Sequence, residues 1–166
     1  MKTKYMIWIG ALLLLLAGAG CEKNIRNKEE KIHVEEFSYS GCKDHLDVGN
    51  VSVRTAPENQ EYVEYEGNSD GYLSIRHINV VFNCCPDTIK ATASIERGVL
   101  LITEKEIVPK CNCTCKYDLT YKIGPLTADR KYTLRIYRGT FEYANFSFTY
   151  DKSLKNKIII QKNNPL

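Results

Sequence analysis

From residue 33 onward the chain alternates apolar and polar positions in short runs cut by turn residues, the period-two signature of half-buried strands. Residues 33–39 precede Ser40-Gly41-Cys42, residues 51–55 end near Pro57, and residues 61–66 end at Gly67-Asn68-Ser69-Asp70-Gly71. Residues 72–82 form the longest run, and their apolar parity changes: Leu73 and Ile75 are odd, Ile78, Val80 and Phe82 even. Side chains alternate faces along a strand, so the change predicts a bulge or crossover near Arg76-His77. Ile89, Ala91, Ala93 and Ile95 then alternate with Thr88, Lys90, Thr92 and Ser94, Arg97-Gly98 supplies a turn, and residues 99–103 return as a hairpin partner. No stretch repeats apolar residues at helical spacing for a useful length.

Residues 111–123 carry the strongest pattern. Cys111, Cys113, Cys115, Tyr117, Leu119, Tyr121 and Ile123 share one face of an extended chain, while Asp118, Thr120 and Lys122 face water. The cysteines are therefore expected to continue a buried stripe. Gly124-Pro125-Leu126 and a charged turn lead to Tyr132-x-Leu134-x-Ile136, another alternating strand. Phe146, Phe148 and Tyr150 read as one core-facing row rather than a sugar-stacking platform, and residues 158–160 as a last strand. Eleven tyrosines and five phenylalanines, with frequent Thr, Val and Ile, favour strands over helices. Short strands at this spacing predict an all-β sandwich or barrel. The passage into residue 132 resembles the tyrosine corner of immunoglobulin-like and fibronectin type III domains. That resemblance implies a single immunoglobulin-like β-sandwich in which the Tyr132 hydroxyl bonds back to the preceding loop.

The N-terminus carries an address. Lys2 and Lys4 precede an apolar run over residues 6–17, then Gly18-Ala19-Gly20 and Cys21. The run falls short of the roughly 20 apolar residues of a membrane span. It resembles the signal of bacterial lipoproteins, which implies cleavage before Cys21 and lipidation of its sulfur. Gly18 stands where such signals usually carry Leu, and ordinary secretory cleavage after Ala19 is the competing reading. Cleavage before Cys21 removes 20 of 166 residues and leaves 146, the size of one domain. It also removes Lys2 and Lys4, so the formal charge falls from +3 to +1, a balance that disfavours nucleic acid as a partner. Residues 21–32 are charged, with little apolar content, and read as a lipidated flexible tether ahead of a domain over residues 33–166.

Seven cysteines are an odd number, and assigning Cys21 to lipid leaves six for pairing in an oxidising compartment. Residues two apart in a strand are about 6.6 Å apart and project in parallel, which disfavours bonds among Cys111, Cys113 and Cys115. Adjacent Cys84 and Cys85 are poorly placed to pair with each other. Each of the three later cysteines then takes one of Cys42, Cys84 and Cys85, and six pairings stay open. The alternative is a zinc or copper site drawn from His77, Cys84, Cys85, Cys111, Cys113 and Cys115, although Cys-x-Cys-x-Cys is tighter than usual structural zinc spacing. Thiol catalysis would need a base such as His33, His45 or His77, with no Cys-x-x-Cys to support it.

Phosphate-cradling glycine loops, His-Glu-x-x-His and Gly-x-Ser-x-Gly are absent. Glu35, Glu36, Glu61, Glu64, Glu66, Glu104 and Glu106 offer acid–base pairs but are expected on solvated faces. Asp87-Thr88-Ile89 resembles the short O-glycosylation sequon of exported Bacteroidota proteins, which would make Thr88 the acceptor; a turn entering a strand is the simpler reading.

Ser-Gly-Cys early, Asn-Cys-Cys-Pro in the middle and Cys-x-Cys-x-Cys-x-Tyr-Asp before Tyr-x-Leu-x-Ile together resemble small lipoproteins of the Bacteroidota. The resemblance implies an envelope location, taken as the outer membrane, and no particular activity. The expectation is a monomeric, non-enzymatic, lipid-anchored binding or structural module for a protein or glycan. Residues 67–71 and 127–131 are its candidate ligand loops.

Overall fold

The computed structural model describes residues 31–43 and 60–160. Among these there are nine strands and no helix. The strands are β1 (His33–Tyr39), β2 (Tyr62–Gly67), β3 (Leu73–Asn83), β4 (Pro86–Glu96), β5 (Val99–Pro109), β6 (Thr114–Gly124), β7 (Lys131–Arg138), β8 (Phe141–Thr149) and β9 (Lys155–Ile159). They form two sheets, one of order β1-β6-β3-β2-β9 and one of order β4-β5-β7-β8. The neighbours run antiparallel except β5 and β7, which are parallel.

The sheets pack as a sandwich because each strand turns one parity inward. From the first sheet come Val63, Tyr65, Leu73, Ile75, Val80, Phe82, Tyr117, Leu119, Tyr121 and Ile123; from the second come Ile89, Leu100, Ile102, Leu134, Ile136 and Phe148. Ile32, just ahead of β1, is buried with them. The β4–β5 hairpin turns at Arg97-Gly98 with both residues at positive φ (50° and 80°), the geometry that matches strand twist in a two-residue turn. Phe148 and Tyr150 are buried and Phe146 half-buried, so the aromatic row is core.

Three expectations shift. The parity change in β3 falls between His77 and Val80, slightly later than the residues suggest, with Asn79 at φ 60°. The Asp118 carboxylate steadies that bulge, accepting the Asn79 N–H at 3.1 Å and the Lys43 ammonium at 2.5 Å. The strand entering the tyrosine stripe begins only at Thr114, so of the three late cysteines Cys115 alone is buried; Cys111 and Cys113 sit in the preceding loop, drawn out of the stripe by their bonds to the β3–β4 turn. The hairpin partner of β4 is longer than residues 99–103 and runs on to Pro109. The expected strand over residues 51–55, the signal with Cys21, most of the tether, and His45 lie outside the described residues.

Candidate functional site

Three disulfides gather at one end of the sandwich: Cys42–Cys115, Cys84–Cys113 and Cys85–Cys111, each with Cα atoms 5.6 Å apart. This is one of the six pairings left open by spacing. Two bonds tie the turn between β3 and β4 to the loop entering β6, and the third ties the end of β1 to β6. Backbone bonds reinforce them, from Cys84 N–H to the Cys113 carbonyl and from Lys110 N–H to the Cys85 carbonyl, both at 3.2 Å. The buried Tyr117 hydroxyl donates to the Asn83 carbonyl at 2.9 Å, and the Asn83 side chain donates to the Cys111 carbonyl. The corner is thus cross-linked by covalent and hydrogen bonds at once.

Beside this corner the two sheets part into an open cleft of about 320 Å³. Phe82, Asn83 and Thr114 form the wall from the disulfide side; Lys105, Glu106 and Arg138 supply its charge. Arg138 ends β7, with its guanidinium carbon 5.6 Å from the Phe82 ring centre and 4.9 Å from that of Tyr143. One guanidinium nitrogen also donates to the Val81 carbonyl. The Glu106 carboxylate accepts the Asn83 N–H at 2.5 Å, across the gap between the sheets.

A second cluster lies in the core. His77 on β3 places Nδ1 2.8 Å from Oε2 of Glu104 and Nε2 3.0 Å from Oε1 of Glu61, while the Tyr121 hydroxyl donates to Oε1 of Glu104 at 2.7 Å. His77, Glu104 and Glu61 are 0%, 1% and 4% exposed, which corrects the expectation that both glutamates face solvent. Burial by itself pushes the imidazole pKa down, but the charges and hydrogen bonds of Glu104 and Glu61 outweigh it and raise the value to about 9. The Tyr121 hydroxyl is held well above its ordinary value by burial and then by the Glu104 charge.

Both His77 nitrogens are therefore engaged by carboxylates, and His77 does not join the cysteines. The sulfurs of Cys85, Cys111 and Cys113 do lie within 4.8 Å of one another, with Cys85 and Cys111 bonded together. Thr88 is half-buried in regular pairing with Ile107, and its hydroxyl donates to the Ile89 carbonyl at 3.3 Å. Of the other glutamates, Glu35 pairs with His33, Glu36 with Lys122, Glu64 with Arg76 and Glu66 with Lys155.

Residues 67–71 and 127–131 meet at the end of the sandwich opposite the cysteines. Leu126 N–H bonds the Gly71 carbonyl at 2.7 Å, Asp129 N–H bonds the Tyr150 carbonyl at 2.9 Å, and the Tyr150 hydroxyl donates to the Asn68 carbonyl at 2.7 Å. The Tyr132 hydroxyl accepts the Thr127 N–H at 2.9 Å, binding the head of β7 to its preceding loop. The cleft beside the disulfide corner, which spacing along the chain does not reveal, is the concave site at the other end.

A stretch of 24 residues is 75% identical to a Tannerella forsythia protein described as a "Putative lipoprotein", covering 14% of this chain and 17% of that protein. No family model matches the chain, and no solved structure matches it.

Proposed function

We propose that this chain is a lipid-anchored, non-enzymatic envelope protein whose β-sandwich serves as a binding module. The observation that carries the reading is the 24-residue likeness to a protein described as a lipoprotein, taken with the apolar leader that ends at Cys21. Three disulfides support an oxidising compartment. The signal form and the Bacteroidota resemblance support the outer membrane, and the Tyr132 corner supports an immunoglobulin-like grouping of the strands. The buried His77 cluster supports a non-enzymatic role, because Glu61, His77 and Glu104 are sealed from substrate. Its partner is a protein or a glycan, engaged by a monomer.

Metabolic labelling with an alkyne palmitate analogue in a Bacteroidota host tests the anchor. The full chain should take up label and stay with the outer-membrane fraction, and Cys21→Ala should lose both. An unlabelled wild-type chain, or label persisting in Cys21→Ala, overturns the reading.

A further inference from the structure

Strand β5 is longer than the strand beside it. The parallel pairing with β7 runs from Val99↔Thr133 to Glu104↔Arg138 and stops there, because β7 ends at Arg138 and the chain turns through Gly139 at φ 60°. β5 continues with β4 alone, through Lys105↔Lys90, Glu106↔Ile89 and Thr88↔Ile107. Among the described residues no strand lies along the other side of residues 105–108. Through Ile107 every second backbone N–H and C=O of that segment faces an open edge, a template for pairing with another extended chain, and Val108, at φ 47° and without a partner in β4, ends the regular row.

The cleft lies at this notch, and its charge is unbalanced. Among the described residues Arg138 has no carboxylate partner; its guanidinium donates to the Val81 carbonyl, and the rings of Phe82 and Tyr143 hold it in place. Lys105 is exposed at the cleft and has no ion pair among the described residues. The cleft's one carboxylate, Glu106, is committed to the Asn83 N–H. An immobilised guanidinium with free donors is prepared for a carboxylate, since little side-chain freedom is lost when the bond forms. The disulfide corner fixes the opposite wall, so the notch keeps its width.

We propose that the notch along β5 residues 105–108 docks an extended acidic peptide segment as an added strand, with a carboxylate of that segment against Arg138 and Lys105. A saccharide would satisfy the cations but not a row of alternating backbone groups, and a peptide satisfies both. The inference rests on the binding-module reading, and it supplies the site and the partner's chemistry.

The test uses the full chain purified in detergent and an array of octapeptides of alternating Thr and Val, with Asp, Asn or Lys substituted at each position. Asp peptides should bind about tenfold more tightly than their Asn counterparts, the scale of one charge-assisted hydrogen bond. Lys105→Glu, on an exposed side chain that leaves the fold intact, and Arg138→Gln should each erase that preference. Amide hydrogen exchange at residues 105–108 should slow on binding. Equal retention of Asp and Asn peptides overturns the proposal, as does protection confined elsewhere, a preference that survives Lys105→Glu, or capture of oligogalacturonate without any peptide. Palmitate labelling reads the anchor separately, so failure of the docking site is distinguishable from failure of the lipoprotein reading.

Discussion

Nδ1 of His77 lies 2.8 Å from Oε2 of Glu104, and the two residues belong to opposite sheets. This bond joins the sheets through charge in the midst of their apolar core. Glu61 closes the other side of the ring at 3.0 Å, Tyr121 donates to Glu104, and the Tyr143 ring stands edge-on at 6.1 Å between centroids. An imidazolium so enclosed has exchanged water for two carboxylates, and the sandwich holds together best while the ring is charged.

The sign of the pH dependence follows from the raised pKa. The folded value of about 9 exceeds the ordinary 6.5, so the stabilisation is fully present below about 6.5 and is lost as pH rises through about 9. Urea denaturation across that window should show a loss of about 3 kcal/mol, the linkage equivalent of the shift. Carbon-13 resonances of the His77 ring should titrate at the upper end of the window. A ring that titrates near 6.5 with flat stability would refute a charged bridge.

Glu104→Gln keeps the shape of the side chain and can still accept from Tyr121, but it leaves the buried imidazolium with Glu61 alone. Breaking one side of a buried ion pair costs about 3–5 kcal/mol, so a fall of that order in unfolding free energy at pH 6 is expected. The His77 pKa should drop in the same variant. A change below about 1 kcal/mol would mean that the ring is neutral in the native protein.

All three members of this cluster sit on the buried parity of their segments. Glu104 follows Leu100 and Ile102, Glu61 precedes Val63 and Tyr65, and His77 follows Leu73 and Ile75. The period-two signal therefore reached them, and only the assumption that glutamate means solvent hid the result. The same signal made the sandwich legible, because each strand buries one face of apolar side chains. The set of disulfide partners was legible as well, although the extended strand assumed for Cys111 and Cys113 is a loop in the folded chain. Choosing among six pairings required knowing how the β3–β4 turn meets the loop before β6. The cleft was illegible for a related reason: it depends on where β7 stops alongside β5, a parallel pairing between strands separated by β6. Local alternation carries no information about that register.

Tyr132 is buried and its hydroxyl accepts the Thr127 N–H at 2.9 Å, so Tyr132→Phe removes one bond without opening a large cavity. A destabilisation of about 1–2 kcal/mol is expected, comparable to losing one partner of a buried hydrogen bond. Faster hydrogen exchange should be confined to residues 126–129 and the head of β7. Unaltered exchange there would deny the corner a role in fixing the loop.

The disulfides should differ in worth according to the chain each one closes. Cys42–Cys115 spans a separation of 73 residues, against 29 for Cys84–Cys113 and 26 for Cys85–Cys111. Loop-closure entropy assigns about 4 kcal/mol to the first; the other two are nested and close nearly the same loop, so removing either alone costs less than the roughly 3.5 kcal/mol that a loop of that length would carry by itself. Paired Cys→Ala variants, one bond at a time, should therefore lower the denaturation midpoint most for Cys42/Cys115. Packing acts in the same direction, because Cys115 is buried in the core whereas Cys113 and Cys85 are exposed. A larger loss from either shorter loop would show that these bonds act mainly by holding the native corner together rather than by restricting the unfolded chain. The cleft beside that corner would then depend on them directly.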